Sequence, residues 1–196
     1  IEDHVKSAAD LTNQLLGFAR GGKYEVQTLD INELIKNQNR IFGRTRKEIN
    51  IQEKFEDNLY AVEGDRGQIE QVVLNLYVNS WQAMPGGGHL YVQTENIEID
   101  ESFKSPYHME PGKYVKFSVT DTGVGMDEAT QQRVFDPFFT TKKMGRGTGL
   151  GLASAYGIIK NHSGYIDVKS EKGKGTTFEI YLPASEKEVV KKRKAT

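Results

Sequence analysis

Half of the twenty glycines in this chain fall between Asp121 and Gly175, and four of them alternate in Gly145-Arg146-Gly147-Thr148-Gly149-Leu150-Gly151-Leu152. Such a run fits neither a strand nor a helix interior, because glycine offers no side chain to pack and loses the most backbone freedom on ordering. It is therefore a loop, and residues 150–161 beyond it have the composition of a helix. Closely spaced glycines at a helix N-terminus present backbone N–H groups and the positive end of the dipole to a phosphate. No G-x-x-x-x-G-K-[ST] occurs, which excludes a Walker A loop. G-x-G-x-x-G fails in every register and no strand directly precedes the run, which excludes a Rossmann fingerprint.

Around that loop the pattern alternates between periods. Residues 1–20 read as one long helix, with Ile1, Val5, Ala8, Thr12, Leu15 and Ala19 stepping by four and three and Arg20-Gly21-Gly22 as its stop. Asp30-Ile31-Asn32-Glu33 has capping-box spacing, and Ile31, Leu34, Ile35, Gln38, Ile41 and Phe42 follow a helical period. Ile49, Ile51 and Phe55 suggest a strand, with a second at 60–62. Asp65 can cap a helix whose core face is Ile69, Val72, Val73, Leu76, Tyr77 and Ser80, ended by Pro85-Gly86-Gly87-Gly88. Leu90, Val92 and Thr94 alternate, as do Val115, Phe117 and Val119; a short helix falls near 127–133, and strands at 165–170 and 176–182 close the domain. Strands interleaved with helices, mostly joined as hairpins, predict an α+β, two-layer α/β sandwich preceded by the long helix. The expected divisions are 1–22, 23–184 and a charged, solvated tail at 185–196.

Two further elements carry chemistry. Asn75, Asn79 and Gln82 are spaced i, i+4, i+7, so three carboxamides share one side of their helix. A carboxamide oxygen is a neutral hard ligand suited to one position on a magnesium ion that also keeps waters and phosphate oxygens. Taken alone, the stripe reads first as a solvent-facing polar face and only second as a metal ligand set. In Val119-Thr120-Asp121-Thr122-Gly123-Val124-Gly125-Met126 an acidic residue leaves the end of an apolar strand. Its carboxylate can accept from an exocyclic amine, and the glycines let a flat ring approach the backbone.

Together and in this order the elements resemble the catalytic, ATP-binding domain of sensor histidine kinases, within the superfamily (GHKL, Bergerat fold) that also holds gyrase, Hsp90 and MutL ATPases. The N box is similar to residues 71–84, the G1 box to 121–126, the F box to 134–142 and the G2 box to 147–152, and Gly175-Thr176-Thr177-Phe178 matches the closing strand. The resemblance runs from about Leu29 to Pro183, with Ser80-Trp81 standing where a smaller residue is commoner. It implies ATP or ADP with Mg2+ as cofactors. Asp121 would receive the adenine amino group, with Gly123, Gly125, Met126 and Thr176 or Thr177 around the ring. Asn79 would hold the metal, with Asn75 and Gln82 beside it. Gly147, Thr148, Gly149, Leu150, Gly151 and Leu152 would cradle the phosphates. Lys142 would neutralise phosphate charge, with Phe135 and Thr141 from the same box at the site and Lys143 or Arg146 as further cations. Asn75, Asn79 and Lys142 form the expected catalytic set.

The first helix is similar to the second helix of the family's dimerisation hairpin. The family's phosphoaccepting histidine lies on the preceding helix, and His4, His89, His108 and His162 lack its context. The chain then reads as a fragment of a longer cytoplasmic sensor, homodimeric when complete. Its partners would be the histidine-bearing hairpin and a response regulator receiver domain, and any membrane contact would come through missing upstream regions. Two other readings stand beside this: an ATP-hydrolysing clamp and a non-catalytic nucleotide-binding module. The clamp enzymes activate water with a glutamate one turn before the metal-binding asparagine, where this chain has Asn75. Composition narrows the field further. With 26 basic and 27 acidic residues the chain lacks the basic excess of a nucleic-acid binder. Without cysteine there is no disulfide, thiolate zinc site or cysteine nucleophile. No apolar run is long enough to span a bilayer, and no secretory leader is expected.

Overall fold

The computed structural model describes residues 25–100, 109–142 and 147–187. The expected long helix, and residues 188–196 of the tail, lie outside the described residues. Within them the elements run β1 (Val26–Leu29), α1 (Ile31–Thr45), β2 (Ile49–Lys54), β3 (Ala61–Asp65), α2 (Arg66–Ala83), β4 (Gly88–Ile99) and β5 (Gly112–Asp121). They continue as α3 (Glu128–Gln131), α4 (Gly151–Asn161), β6 (Tyr165–Glu171) and β7 (Gly175–Ser185).

Helix starts follow local chemistry. The carboxylates of Asp30, Asp65 and Asp127 accept from the N–H groups of Glu33, Gln68 and Thr130 at 3.0, 3.0 and 2.9 Å. Each satisfies a donor that the first turn leaves unpaired.

The strands form one seven-stranded sheet in the order β1-β3-β7-β5-β4-β2, with β6 also on β7. The expected succession of hairpins holds for β4–β5 and β6–β7 only. β2 runs parallel to β4 rather than pairing with β3, because the chain crosses through β3 and α2 between them. Two segments are longer than their alternation predicts. β4 continues to Ile99, and β7 continues to Ser185, where Ala184 and Ser185 leave β5 and pair with Val62 and Ala61 of β3. The fold therefore extends past residue 184, and Lys187 reaches Glu63 at 2.6 Å.

Helices α1, α2 and α4 cover one face of the sheet. Ile31, Ile35, Ile69, Val72, Leu76 and Ile159 pack with Leu90, Val92, Phe117, Val119, Ile180 and Leu182 in a single core. The opposite face is polar, with Lys116 held between Glu179 at 2.9 Å and Glu95 at 3.0 Å. A small apolar cluster of Ile99, Met109 and Tyr114 sits at its far end. Asp121, ending β5, shares the helix-covered face with Val115, Phe117 and Val119, since alternate residues share a face. That parity aims its carboxylate at α2.

Candidate active site

The candidate site lies along the C-terminal half of α2, with the β5 end on one side and the start of α4 on the other. Asp121 is 2% exposed, and its Oδ1 accepts from Gly123 N–H at 2.9 Å. Burial raises the carboxyl above the ordinary aspartate range, and donors from Gly123, Ser80 and Thr176 draw it only part of the way back. A buried carboxylate with lone pairs remaining is an acceptor awaiting a donor. Thr176 pairs with Asp121 across β5 and β7 and so shares its face; its Oγ1 lies 2.9 Å from Ser170 Oγ. Thr177 is on the other face, with its hydroxyl 2.9 Å from Thr120. Of the two threonines only Thr176 shares the Asp121 face of the sheet.

The turn after Asp121 is pinned from three directions. Val124 N–H donates to Ala83 C=O at 3.0 Å, and Gly125 lies against Glu171 C=O. Met126 N–H donates to Ser170 Oγ at 2.8 Å. Gln131 of α3 completes the clamp, accepting from Ser170 N–H at 3.0 Å and donating to Ser170 C=O at 2.9 Å. Ser170 and Gln131 carry no sequence signal of this role, because the contact joins residues far apart in the chain. At Gly175, φ is +98° and a Cβ would fall 1.9 Å from Asp121 C=O, so only glycine lets β7 pass so close to the acid.

On the other side, Asn75 Nδ2 donates to Gly151 C=O at 2.9 Å and ties the N-terminus of α4 to α2. Asn79 Nδ2 donates to the Asn75 carbonyl at 2.8 Å. That bond fixes the amide with its oxygen outward, since only the nitrogen can donate. Asn79 Oδ1 accepts from Lys142 Nζ at 3.4 Å, and Lys142 also donates to Gln82 Oε1. Burial of its ammonium lowers the Lys142 pKa. The ammonium stands where a cation meets two neutral amide oxygens. The donor set thus fits a hard cation completed by phosphate oxygens. Among the described residues no cluster of three acidic or histidine side chains offers an alternative metal site.

Helix α4 starts without a side-chain cap, its Leu150 N-cap being αR. Gly147 lies against Thr140 and the Lys142 side chain. Phe138 N–H donates to Gly149 C=O at 3.0 Å, and Thr148 Oγ1 accepts from Leu150 N–H at 3.4 Å. The segments around residues 140 and 148 therefore meet beside Asn79. Leu152 is half-buried against the core. Phe135 packs on Tyr156 and Phe178, with ring centroids 5.5 and 6.4 Å away, and serves as an anchor of its segment. Thr141 is exposed. Lys143 and Arg146 lie outside the described residues. His162 uses both ring nitrogens, one accepting from Asp65 N–H at 3.0 Å and one 2.8 Å from Ile158 C=O. It is structural, while His4 and His108 lie outside the described residues.

The family described as "Histidine kinase-, DNA gyrase B-, and HSP90-like ATPase" matches residues 64–186. The chain is similar to sensor kinase CckA of Brucella abortus (strain 2308), at 42% identity over 185 residues, covering 93% of this chain and 20% of that protein. It is similar to sensor histidine kinase ZraS of Escherichia coli (strain K12), at 34% over 177 residues, 89% of this chain and 35% of that one. It thus spans about a fifth to a third of the curated relatives it matches. Among solved structures, full-length ShkA in complex with AMPPNP aligns with a TM-score of 0.72 at 26% identity, covering 93% of this chain and 36% of that one.

Proposed function

The chain belongs to the histidine kinase-, DNA gyrase B- and HSP90-like ATPase family, as the catalytic ATP-binding domain of a two-component sensor histidine kinase, and from that premise we propose that it transfers the γ-phosphoryl group of ATP to a histidine on a dimerisation hairpin. The observation that carries this reading is the orientation of Asn79. Its nitrogen is held on the Asn75 carbonyl and its oxygen meets a cation, one helical turn from the α4 N-terminus that Asn75 anchors.

In the proposed complex, Asp121 and Thr176 hold adenine and the backbone from Gly147 to Leu152 receives the phosphates. Asn79, with Gln82 beside it, is the magnesium ligand, and Lys142 turns from the amides to the phosphates. Magnesium held by Asn79 would supply charge neutralisation for phosphoryl transfer, a reaction that needs positioning and electrostatics more than covalent chemistry. Asn75 acts as a positioning residue that keeps α4 on α2.

Hydrolysis by a clamp-type ATPase is disfavoured by the same geometry. Asn75 occupies the place one turn before Asn79 and has no basic lone pair to activate water. Glu70 is bonded to Arg66 at 2.9 Å. Beyond the chain itself, the proposed partners are a histidine-bearing hairpin, a second copy of the complete protein and a response regulator receiver domain, on the cytoplasmic side of any membrane. Among the described residues no helix is long and apolar enough to cross one.

Calorimetry with Mg2+ tests the binding half: ATP or ADP should bind and GTP should not compete, since guanine presents a carbonyl to Asp121. Equal affinity for GTP would sink the assignment of Asp121. Transfer of label to a supplied hairpin tests the catalytic half.

A further inference from the structure

Among the described strands β6 pairs with β7 alone, with Ser170 opposite Thr176, so its other edge is open. Backbone groups along an open edge ordinarily turn to water. At Ser170 they meet a side chain instead. Ser170 N–H donates to Gln131 Oε1 at 3.0 Å, and Gln131 Nε2 donates back to Ser170 C=O at 2.9 Å. The same nitrogen reaches Met126 C=O at 3.4 Å, so both of its hydrogens and the amide oxygen are engaged. A carboxamide presents a donor and an acceptor side by side, as a peptide group of a neighbouring strand would; a carboxylate or an ammonium cannot. Helix α3 buries none of its residues, so the amide rather than apolar packing ties its end to the sheet.

Ser170 is a hub in its own right. Its Oγ accepts from Met126 N–H at 2.8 Å, donates to Gly175 C=O at 2.9 Å and lies 2.9 Å from Thr176 Oγ1. A hydroxyl has one hydrogen and two lone pairs, so these bonds saturate it and make Thr176 the donor to it. Each partner borders Asp121. Met126 ends the turn that follows it, and at Gly175 a Cβ would fall 1.9 Å from the Asp121 carbonyl. Thr176 lies opposite Asp121 across β5 and β7. Ser170 thus spaces two walls of the candidate site, and Gln131 fixes Ser170. A second tie, Gly173 N–H to Val124 C=O at 2.7 Å, and the core packing of Phe178 hold the β6–β7 hairpin without Gln131. Loss of the amide therefore loosens the spacing and leaves the fold intact.

We propose that Gln131 is a positioning residue for nucleotide binding: its amide locks Ser170, and Ser170 sets the distance between the 122–126 turn and the first residues of β7. Gln131 itself contacts neither base nor phosphate and acts on the base side through Ser170. It also belongs to the segment that leads to Phe135 and Lys142, so the same bonds fix where that segment leaves the sheet. This inference rests on the nucleotide-binding reading above. It makes the effect specific, because ATP and ADP share a base and should suffer alike, whereas a contact to the γ-phosphate would matter for ATP alone.

The experiment titrates ATP and ADP, each with Mg2+, into Gln131→Met, Gln131→Glu, Ser170→Ala and the double variant Gln131→Met/Ser170→Ala by calorimetry. Gln131→Met keeps the length and removes the hydrogen bonds; it should weaken both nucleotides by the same factor, roughly 3- to 10-fold. Gln131→Glu keeps the acceptor but sets a carboxylate against two carbonyls, and should be weaker still. The double variant should bind little worse than Ser170→Ala, because the two residues act in series. Transfer to a supplied hairpin should show KM raised and kcat within about twofold of wild type. Wild-type affinity in Gln131→Met overturns the proposal, as does a loss confined to ATP or one that adds in full to that of Ser170→Ala. If Gln131→Met does not fold, Gln131→Glu and its double variant with Ser170→Ala carry the same comparison. Wild-type protein that binds neither nucleotide overturns the functional reading and this inference with it, so the two failures are distinguishable.

Discussion

Lys142 Nζ stands 3.4 Å from Asn79 Oδ1 while also donating to Gln82. The ammonium occupies the outward side of an amide whose nitrogen is already committed to the Asn75 carbonyl. Asn79 therefore has one oxygen, in one orientation, for whichever cation the site holds. This contact ranks the two residues. Asn79 is fixed in that orientation by the Asn75 carbonyl, whereas Lys142 shares charge neutralisation with backbone dipoles.

The ranking sets the first expected outcome. Asn79→Ala should lower phosphoryl transfer to a supplied hairpin by about 100-fold or more, and Lys142→Ala by about 10-fold, in line with the cost of losing a preorganised charge contact. Initial rates at saturating Mg2+ and ATP give both numbers. The reverse order would show that Lys142, not the amide, carries the charge stabilisation.

Asp121 sets a pH dependence of the nucleotide-free fold. Its folded pKa is raised by burial, so the folded state binds its proton more strongly than the unfolded chain. The contribution to stability is then fully present below the unfolded value of about 3.9 and is lost as pH rises through the folded pKa. Asp121→Asn removes that loss. The variant should be more stable than wild type in urea at pH 7, with the difference vanishing near pH 4, while its ATP affinity falls. A variant less stable at pH 7 than wild type would mean that the carboxylate is stabilised in place.

Two glycines separate site geometry from helix propensity. Gly175→Ala forces a Cβ against Asp121 C=O at φ +98° and should abolish nucleotide binding, with a stability loss of roughly 2 kcal/mol or more. Gly157→Ala in α4 meets nothing within 4 Å and should stabilise by about 0.5–1 kcal/mol. Melting curves of the two variants should shift in opposite directions.

On the far face of the sheet, Glu179 holds Lys116 at 2.9 Å and Lys169 at 2.6 Å. Burial works to raise its carboxyl, but the two ammonium groups prevail and lower it. A lowered acid contributes stability above its unfolded value of about 4.3, and that contribution is lost as pH falls through the folded pKa. Glu179→Gln should cost roughly 1–3 kcal/mol at pH 7 by leaving the half-buried Lys116 poorly paired. Denaturation at pH 7 and pH 3 would show the cost shrinking at the lower pH, and nucleotide affinity should not change.

The parts legible in sequence are those set by neighbours along the chain. Asp30, Asp65 and Asp127 announce their helices because a cap and its donor are three residues apart. The amide stripe and the glycine loop are legible for the same reason. β1 is not, because Val26–Leu29 is four residues of mixed polarity whose only reason to be a strand is β3, with Leu29 opposite Val62. β4 reads short because its apolar phase slips. Leu90, Val92 and Thr94 face the helices, while Ile97 and Ile99 face the other side and join Tyr114. Thr176 and Thr177 become distinguishable only once the β5–β7 register places the first beside Asp121.

The central claim is phosphoryl transfer from a site contained in this chain to a histidine outside it. The direct measurement is incubation with γ-labelled ATP and Mg2+, with and without a separate histidine-bearing dimerisation hairpin, followed by acid and base treatment of the labelled protein. The account predicts no label on this chain alone and an acid-labile, base-stable label on the hairpin when both are present. Release of inorganic phosphate with no label on the hairpin, or an acid-labile label on one of this chain's own four histidines, would contradict it.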